Sequence, residues 1–259
     1  ASMADELAFP KDKTVKPDWE KALALYTSAI DYGKIPQDLN FRFRAARARC
    51  LLELDGYQQH TLARQQLEEL LPTLPAKAIL QQAELRFLLG RACHKLGQRD
   101  AAEHQLTIAA RLADAGDFPL QAAAELLETL AFPSPGRREL TRGRIIVREM
   151  LARFARDPRT GKLLFQTALA ELNTGDSEAG LASLALYIRT WSDGEHAAEA
   201  HYRSAETLFK NSQHEKAMQT LRELLARFPG SGFWQQAQKL IVDVEYGEAV
   251  RAFAGGNFA

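Results

Sequence analysis

The side chains able to do chemistry in this chain of 259 residues are six histidines, two cysteines and 33 carboxylates. A zinc site with a neighbouring base would need two histidines stacked on one helix face with a glutamate between them. His60, His94, His104, His196, His201 and His214 never take that spacing, and His196 and His201, five apart, diverge round a helix. A thiol metal site or redox pair needs closely spaced cysteines. Cys50 and Cys93 each stand alone among Ala and Leu and read as small core residues. Phosphate cradles and nucleophile elbows show as glycine runs between a strand and a helix, whereas the glycines here are scattered at turn positions. No motif marks a carboxylate as a general acid or base. The chain therefore reads as a non-enzyme, with no catalytic residue, metal or cofactor expected.

What remains is recognition chemistry. Lys plus Arg and Asp plus Glu each total 33, so the net charge is zero and the whole-molecule field of a nucleic-acid binder is missing. A nucleic-acid role would need the basic residues of Arg42 to Arg49 and of Arg137 to Arg148 to merge into one surface. No run approaches the roughly 20 apolar residues that span a bilayer, so no direct membrane insertion is expected. Ala, Leu, Glu, Gln and Arg dominate, all good helix formers, and the elements positioning any site are expected to be helices.

Their arrangement follows from internal repetition. The stretches LLFQTALAELNTGDSEAGLASLALYIRTWSDG and AHYRSAETLFKNSQHEKAMQTLRELLARFPG align without gaps at an offset of 37, matching Phe165 with Tyr202, Ala168 with Ala205, Gly180 with Ala217 and Leu184 with Leu221. AELRFLLGRACHKLGQRDAAEHQLTIAARL is a third copy, and NFRFRAARARCLLELDGYQQHTLARQQLEELLPTLP a fourth with a longer turn near Gly56. The segment from Pro119 to Phe154 is a looser fifth, its turn lengthened at Pro133 to Gly136, and DWEKALALYTSAIDYG reads as a second helix lacking a clear first. Small residues thus recur at Ala22, Ala63, Ala102, Gly143, Gly180 and Ala217, where two helices must cross closely, with Leu or an aromatic one turn later. Each copy is a helical hairpin. A hairpin cannot bury its apolar face alone, so the copies must stack.

The run Leu89 to Gly97 followed by Ala102, and the set Ala205, Ala217, Leu221 and Pro229, resemble the tetratricopeptide repeat family, over nearly the whole chain. The copies lack that family's frequent early Trp and exceed its usual length of about 34 residues. The resemblance implies an all-α, right-handed α-solenoid of five to six stacked hairpins, closed by a C-terminal capping helix from Gly232 to Ala254. It also implies a non-catalytic scaffold whose first helices line a concave face that holds a partner protein or peptide. Carried over by register, that face takes Asn40, Phe43, Arg44 and Arg47, then Glu84, Phe87, Arg91, His94 and Lys95, then Lys162, Phe165 and Leu169, then Tyr202, Arg203 and Glu206, with Glu199 beside them. Aromatic faces with Arg side chains suit an extended acidic-hydrophobic peptide. The competing reading is that the aromatics pack between hairpins and the arginines pair with glutamates on adjacent helices.

The expected organisation is a flexible lead-in at 1–14, one solenoid domain at 15–254 with possible flexing at Pro133 to Arg138, and a frayed end at 255–259. Repeats ending in R-F-P-G-S, as at Arg227 to Ser231, are similar to those of bacterial envelope members, which implies a periplasmic or outer-membrane-associated protein. The copy from Gly90 to Phe118 looks more like helical regulatory domains of cytoplasmic activators, which leaves a cytoplasmic adaptor or small-molecule sensor open. Phe233, Trp234 and Phe253 either cover the last repeat or make a homodimer contact, and Trp19 reads as an N-terminal packing anchor.

Overall fold

The computed structural model describes residues 3–12, 14–33, 36–131 and 137–254. All regular structure among them is helical. The chain divides into two compact units, 1–132 and 133–259. Both are α-solenoid stacks of helices packed in consecutive antiparallel pairs. The proposed flexing stretch falls largely on 132–136, and the frayed end on 255–259, both outside the described residues.

The first unit holds α1 (Met3–Ala8), α2 (Trp19–Asp31), α3 (Gln37–Glu53), α4 (Tyr57–Leu70), α5 (Ile79–Lys95), α6 (Arg99–Arg111) and α7 (Phe118–Ala131). Each packs on the next, and α5 also packs on both α3 and α7, so these first helices form one layer with α4 and α6 behind it. Residues 3–8, in the stretch expected to be a flexible lead-in, form a helix instead. Ala4 and Ala8 are buried against Ala22, Tyr26 and Cys50, and the Tyr26 hydroxyl donates to Asp5. Trp19 anchors this end edge-on against Phe9, with ring centroids 5.7 Å apart.

The second unit holds α8 (Arg137–Arg153), α9 (Pro158–Asn173), α10 (Ser177–Thr190), α11 (Ala197–Lys210), α12 (His214–Arg227) and α13 (Trp234–Ala254). Asp157, followed by Pro158 in the first helical position, caps α9 by accepting from the Arg159 N–H, and Asp176 caps α10 by accepting from the Ala179 N–H. Met218, Leu221 and Leu224 of α12 pack with Ala205 of α11 and with Ala237, Leu240 and Val244 of α13.

All six repeated small residues are buried. Their size is a steric demand. A Cβ on Gly180 would lie 2.7 Å from Leu172 Cγ and 3.2 Å from the Ala168 carbonyl oxygen, and one on Gly90 2.5 Å from Leu106 Cγ. Three of the hairpin turns share one geometry. Gln98 N–H donates to the Cys93 carbonyl and Gly97 N–H to that of His94; Asp176 and Gly175 repeat the pattern to Glu171 and Leu172. These are the paired bonds of a Schellman helix ending, which needs a residue of positive φ, and Gly97 and Gly175 stand at +71° and +82°. In the third such turn that residue is Ser212, at φ 59°.

Candidate functional site

The first-helix layer of the first unit carries a cleft of about 460 Å³ lined by Asp5, Phe9, Arg42, Phe43, Ala46, Arg49 and Glu84. On α3, Arg42, Ala46, Arg49 and Glu53 recur at three- and four-residue steps and so share one stripe. Arg49 donates to Glu84 Oε1 at 3.0 Å and lies over the Phe9 ring, 5.2 Å from its centroid. Burial pushes the Glu84 carboxyl above its ordinary value, and the Arg49 and Arg42 charges pull it back. Arg42 is exposed and enters no ion pair among the described residues. The cleft thus offers one exposed guanidinium outside any ion pair among the described residues, one held over an aromatic face, and apolar ring surface between them.

Beyond the cleft the layer is laced by charge. Arg91 reaches Glu53 at 2.9 Å and Glu125 at 3.5 Å, tying α5 to α3 and α7, and His94 Nδ1 lies 2.7 Å from Glu125. Lys95 is exposed beside them. Neither Arg44 nor Arg47, both expected on the inner face, lines this cleft. Arg44 bonds Asn40 on its own helix at 3.1 Å, and Arg47 donates to Thr27 of α2 at 2.9 Å and Gln66 of α4 at 2.6 Å. The stripe of Arg42 and Arg49 takes their place in the cleft. Its seven-residue spacing was visible in the sequence, but the opposite wall, Asp5 and Phe9, comes from a segment that read as a lead-in.

The recurring aromatics pack between neighbouring helices. Phe43 lies 5.8 Å from Tyr26, Phe87 6.1 Å from Phe118, and Tyr202 5.6 Å from Phe233. Phe165 stacks on His196 at 4.6 Å and lies 5.6 Å from Tyr187. Phe43 alone of these four also lines the first-unit cleft. In the second unit Leu169, Leu172, Asn173, Arg203, Glu206 and Lys210 border a cleft of about 280 Å³. Arg203 bonds Glu199 at 3.3 Å and Glu206 at 3.5 Å, and Lys210 reaches Glu206 at 3.1 Å. Lys162 is exposed elsewhere on α9.

No group of three or more His, Cys, Asp or Glu among the described residues is placed to hold a metal. No described helix is long and apolar enough to cross a membrane. Burial pushes the Cys50 thiol up to about 11 and raises that of Cys93, so neither is an activated nucleophile.

A tetratricopeptide-repeat profile matches residues 199–231, which are α11, α12 and the turn after them. The chain is a helical repeat protein. It is similar in fold to the C-terminal part of a TPR repeat-containing protein from Cytophaga hutchinsonii, with a TM-score of 0.57 and 15% identity over 85% of this chain and 78% of that one. It is also similar to a signal-transduction ATPase with numerous domains and a tetratricopeptide repeat sensor from Pyrococcus horikoshii. That TM-score is 0.50 with 14% identity, over 87% of this chain and 33% of that one. A search of curated proteins finds no match. Tetratricopeptide repeats in general build protein–protein interaction scaffolds, and the fold is typically non-catalytic.

Proposed function

We propose that the chain is a non-catalytic scaffold that holds an extended acidic-hydrophobic segment of a partner protein along the first-helix layer of its first unit. The observation that carries this reading is Arg42: an exposed guanidinium that enters no ion pair among the described residues, beside the Phe9 and Phe43 rings and the Arg49–Glu84 pair. Arg42 supplies a fork for a carboxylate, and the rings supply the apolar anchor next to it. Arg91 and His94 extend the same layer, but both side chains are already engaged, by Glu53 and by Glu125. They set the register of the helices rather than the affinity.

The test is an affinity pull-down from a source-cell lysate with the wild type, Arg42→Glu, and Arg91→Glu as a comparison, each checked for helicity and melting temperature. A defined partner lost with Arg42→Glu at unchanged stability is the expected result. A partner retained by both variants sinks the cleft assignment. The R-F-P-G-S ending of the repeat at Arg227 to Ser231 supports placing this scaffold in a bacterial envelope assembly, in the periplasm or at the outer membrane. Fractionation of the tagged protein in its source cell checks that placement, and recovery in the cytosol overturns it.

A further inference from the structure

The segment before α2 is held more lightly than the rest of the first-helix layer. Helices α3 and α5 are each 17 residues long and bury leucines such as Leu52 and Leu88, whereas α1 has six residues and buries only Ala4 and Ala8. A helix so short does not persist unaided, and a segment with so little apolar seal opens at small cost. What it covers is apolar and continuous: Ala22 and Tyr26 of α2 and Cys50 of α3, with Phe43 and Ala46 at the margin. Residues 11, 12 and 14–17, between α1 and α2, are exposed, so α1 can swing away without moving α2.

The side chains of this segment are the chemistry that the adjoining cleft selects. Asp5 accepts from the Tyr26 hydroxyl, and the Arg49 guanidinium lies over the Phe9 ring, 5.2 Å from its centroid. Ala4 and Ala8 each precede one of these two residues and turn inward. The run is a carboxylate, an aromatic one helical turn later and a small residue before each, an acidic-hydrophobic pattern in six residues. Facing it, the α3 and α5 walls of the cleft carry two guanidiniums, Arg42 and Arg49, against one carboxylate, Glu84, which favours an anionic occupant.

We infer that residues 3–9 are a latch, a segment of the chain's own that fills the seat in cis and is displaced by a partner segment of the same pattern. That segment is a short helix with a carboxylate at i, an aromatic at i+4 and small residues at i−1 and i+3. The inference rests on the reading of this layer as the site of an acidic-hydrophobic segment, and it adds how access is controlled. The partner enters at Arg42, which is exposed beside the Phe9 and Phe43 rings. Its aromatic then replaces Phe9 against Arg49, and α1 gives up its bonds from the Tyr26 hydroxyl to Asp5 and from the Asp18 N–H to the Leu7 carbonyl. Being tethered, the latch competes at an effective concentration of about millimolar.

The probe is a peptide of residues 3–10, capped at both ends, with para-fluorophenylalanine at the position of Phe9, titrated with the full chain and followed by fluorine NMR. Two variants lift the latch. Ala8→Asp sets a charge against Tyr26 and Cys50, and Phe9→Ser with Asp5→Ala loosens α1 without a buried charge. Circular dichroism should show the remaining helices intact in both. Each unlatched chain is expected to bind the peptide about tenfold tighter than the wild type or better, and adding Arg49→Glu to weaken that binding about tenfold. Equal affinity of wild-type and unlatched chains overturns the proposal, since α1 then blocks nothing. So does an absence of binding to both unlatched chains, which would make α1 a fixed first helix. Either result alongside a partner lost with Arg42→Glu in the pull-down removes the latch and leaves the cleft reading standing.

Discussion

Glu171 is a carboxylate with almost no access to water, its side chain 2% exposed, and it accepts from two donors: Arg144 from α8 and the Ser183 hydroxyl, at 2.8 Å, from α10. Arg144 also bonds Asp176, the cap of α10, so one guanidinium joins three helices. Removing the partner of a buried charge costs far more than the pair is worth, because the survivor stays desolvated. Arg144→Met is expected to lower the unfolding free energy by about 3 kcal/mol, the low end of that range since Arg144 is partly solvated, and adding Glu171→Leu should restore most of the loss. Urea denaturation of the two variants checks this. His201 is the opposite case: buried, both ring nitrogens without a hydrogen bond, against Phe228. Burial holds it below its ordinary value, Arg227 adding to the effect and Glu223 opposing it. The unfolded chain then takes up a proton near pH 6.5 that the folded chain refuses. The contribution of His201 is intact above that pH and is lost as pH falls below it, by up to about 1.4 kcal/mol per pH unit. Unfolding free energies between pH 7.5 and 5.5 should show this slope in the wild type and a shallower one in His201→Phe. Neither role was legible in sequence, where Arg144 sat in a basic run and His201 among scattered histidines: both depend on which helix lies opposite.

The helices show how one repeat tolerates different residues at one demanding place. Gly97, Gly175 and Ser212 end three first helices with the same pair of hydrogen bonds and the same left-handed backbone. Glycine adopts that conformation freely, but a residue with a Cβ is strained by about 1–2 kcal/mol. Ser212→Gly is expected to raise stability by about 1 kcal/mol, read as a higher melting temperature. Gly180→Ala should act in reverse although alanine is the better helix former. Its methyl would press on Leu172 and on the Ala168 carbonyl oxygen, and overpacking of about 1–3 kcal/mol outweighs the propensity gained. The hairpins were legible because small residues and turns recur at fixed spacing, and that spacing is imposed by helices touching. The cleft was less so. Register placed Arg44 and Arg47 on the inner face, but Thr27 and Gln66 draw Arg47 towards α2 and α4, and Arg42 and Arg49 line the wall. A side chain as long as arginine chooses among neighbours that only the packed helices supply. The helix of residues 3–8 was missed because six residues are too few for a periodic signal, and packing on α2 holds them in place.

At the scale of the whole chain, stability is a sum of hairpins and their nearest-neighbour contacts. The first unit has its own core at Ala4, Ala8, Ala22, Tyr26 and Cys50, and the second its own around Leu221 and Leu240. Residues 1–132 expressed alone are expected to be helical by circular dichroism and to melt cooperatively; a chain without a cooperative transition would show that the first unit is not a folding unit. The two cysteines acquire a use in this setting. Cys50 and Cys93 are both free and buried in the first unit, and the chain has no others. A maleimide at neutral pH can reach them only when that half of the molecule opens. Alkylation followed by mass spectrometry is therefore a clock already built into the native chain, timing the excursions of one half while the other half stays silent.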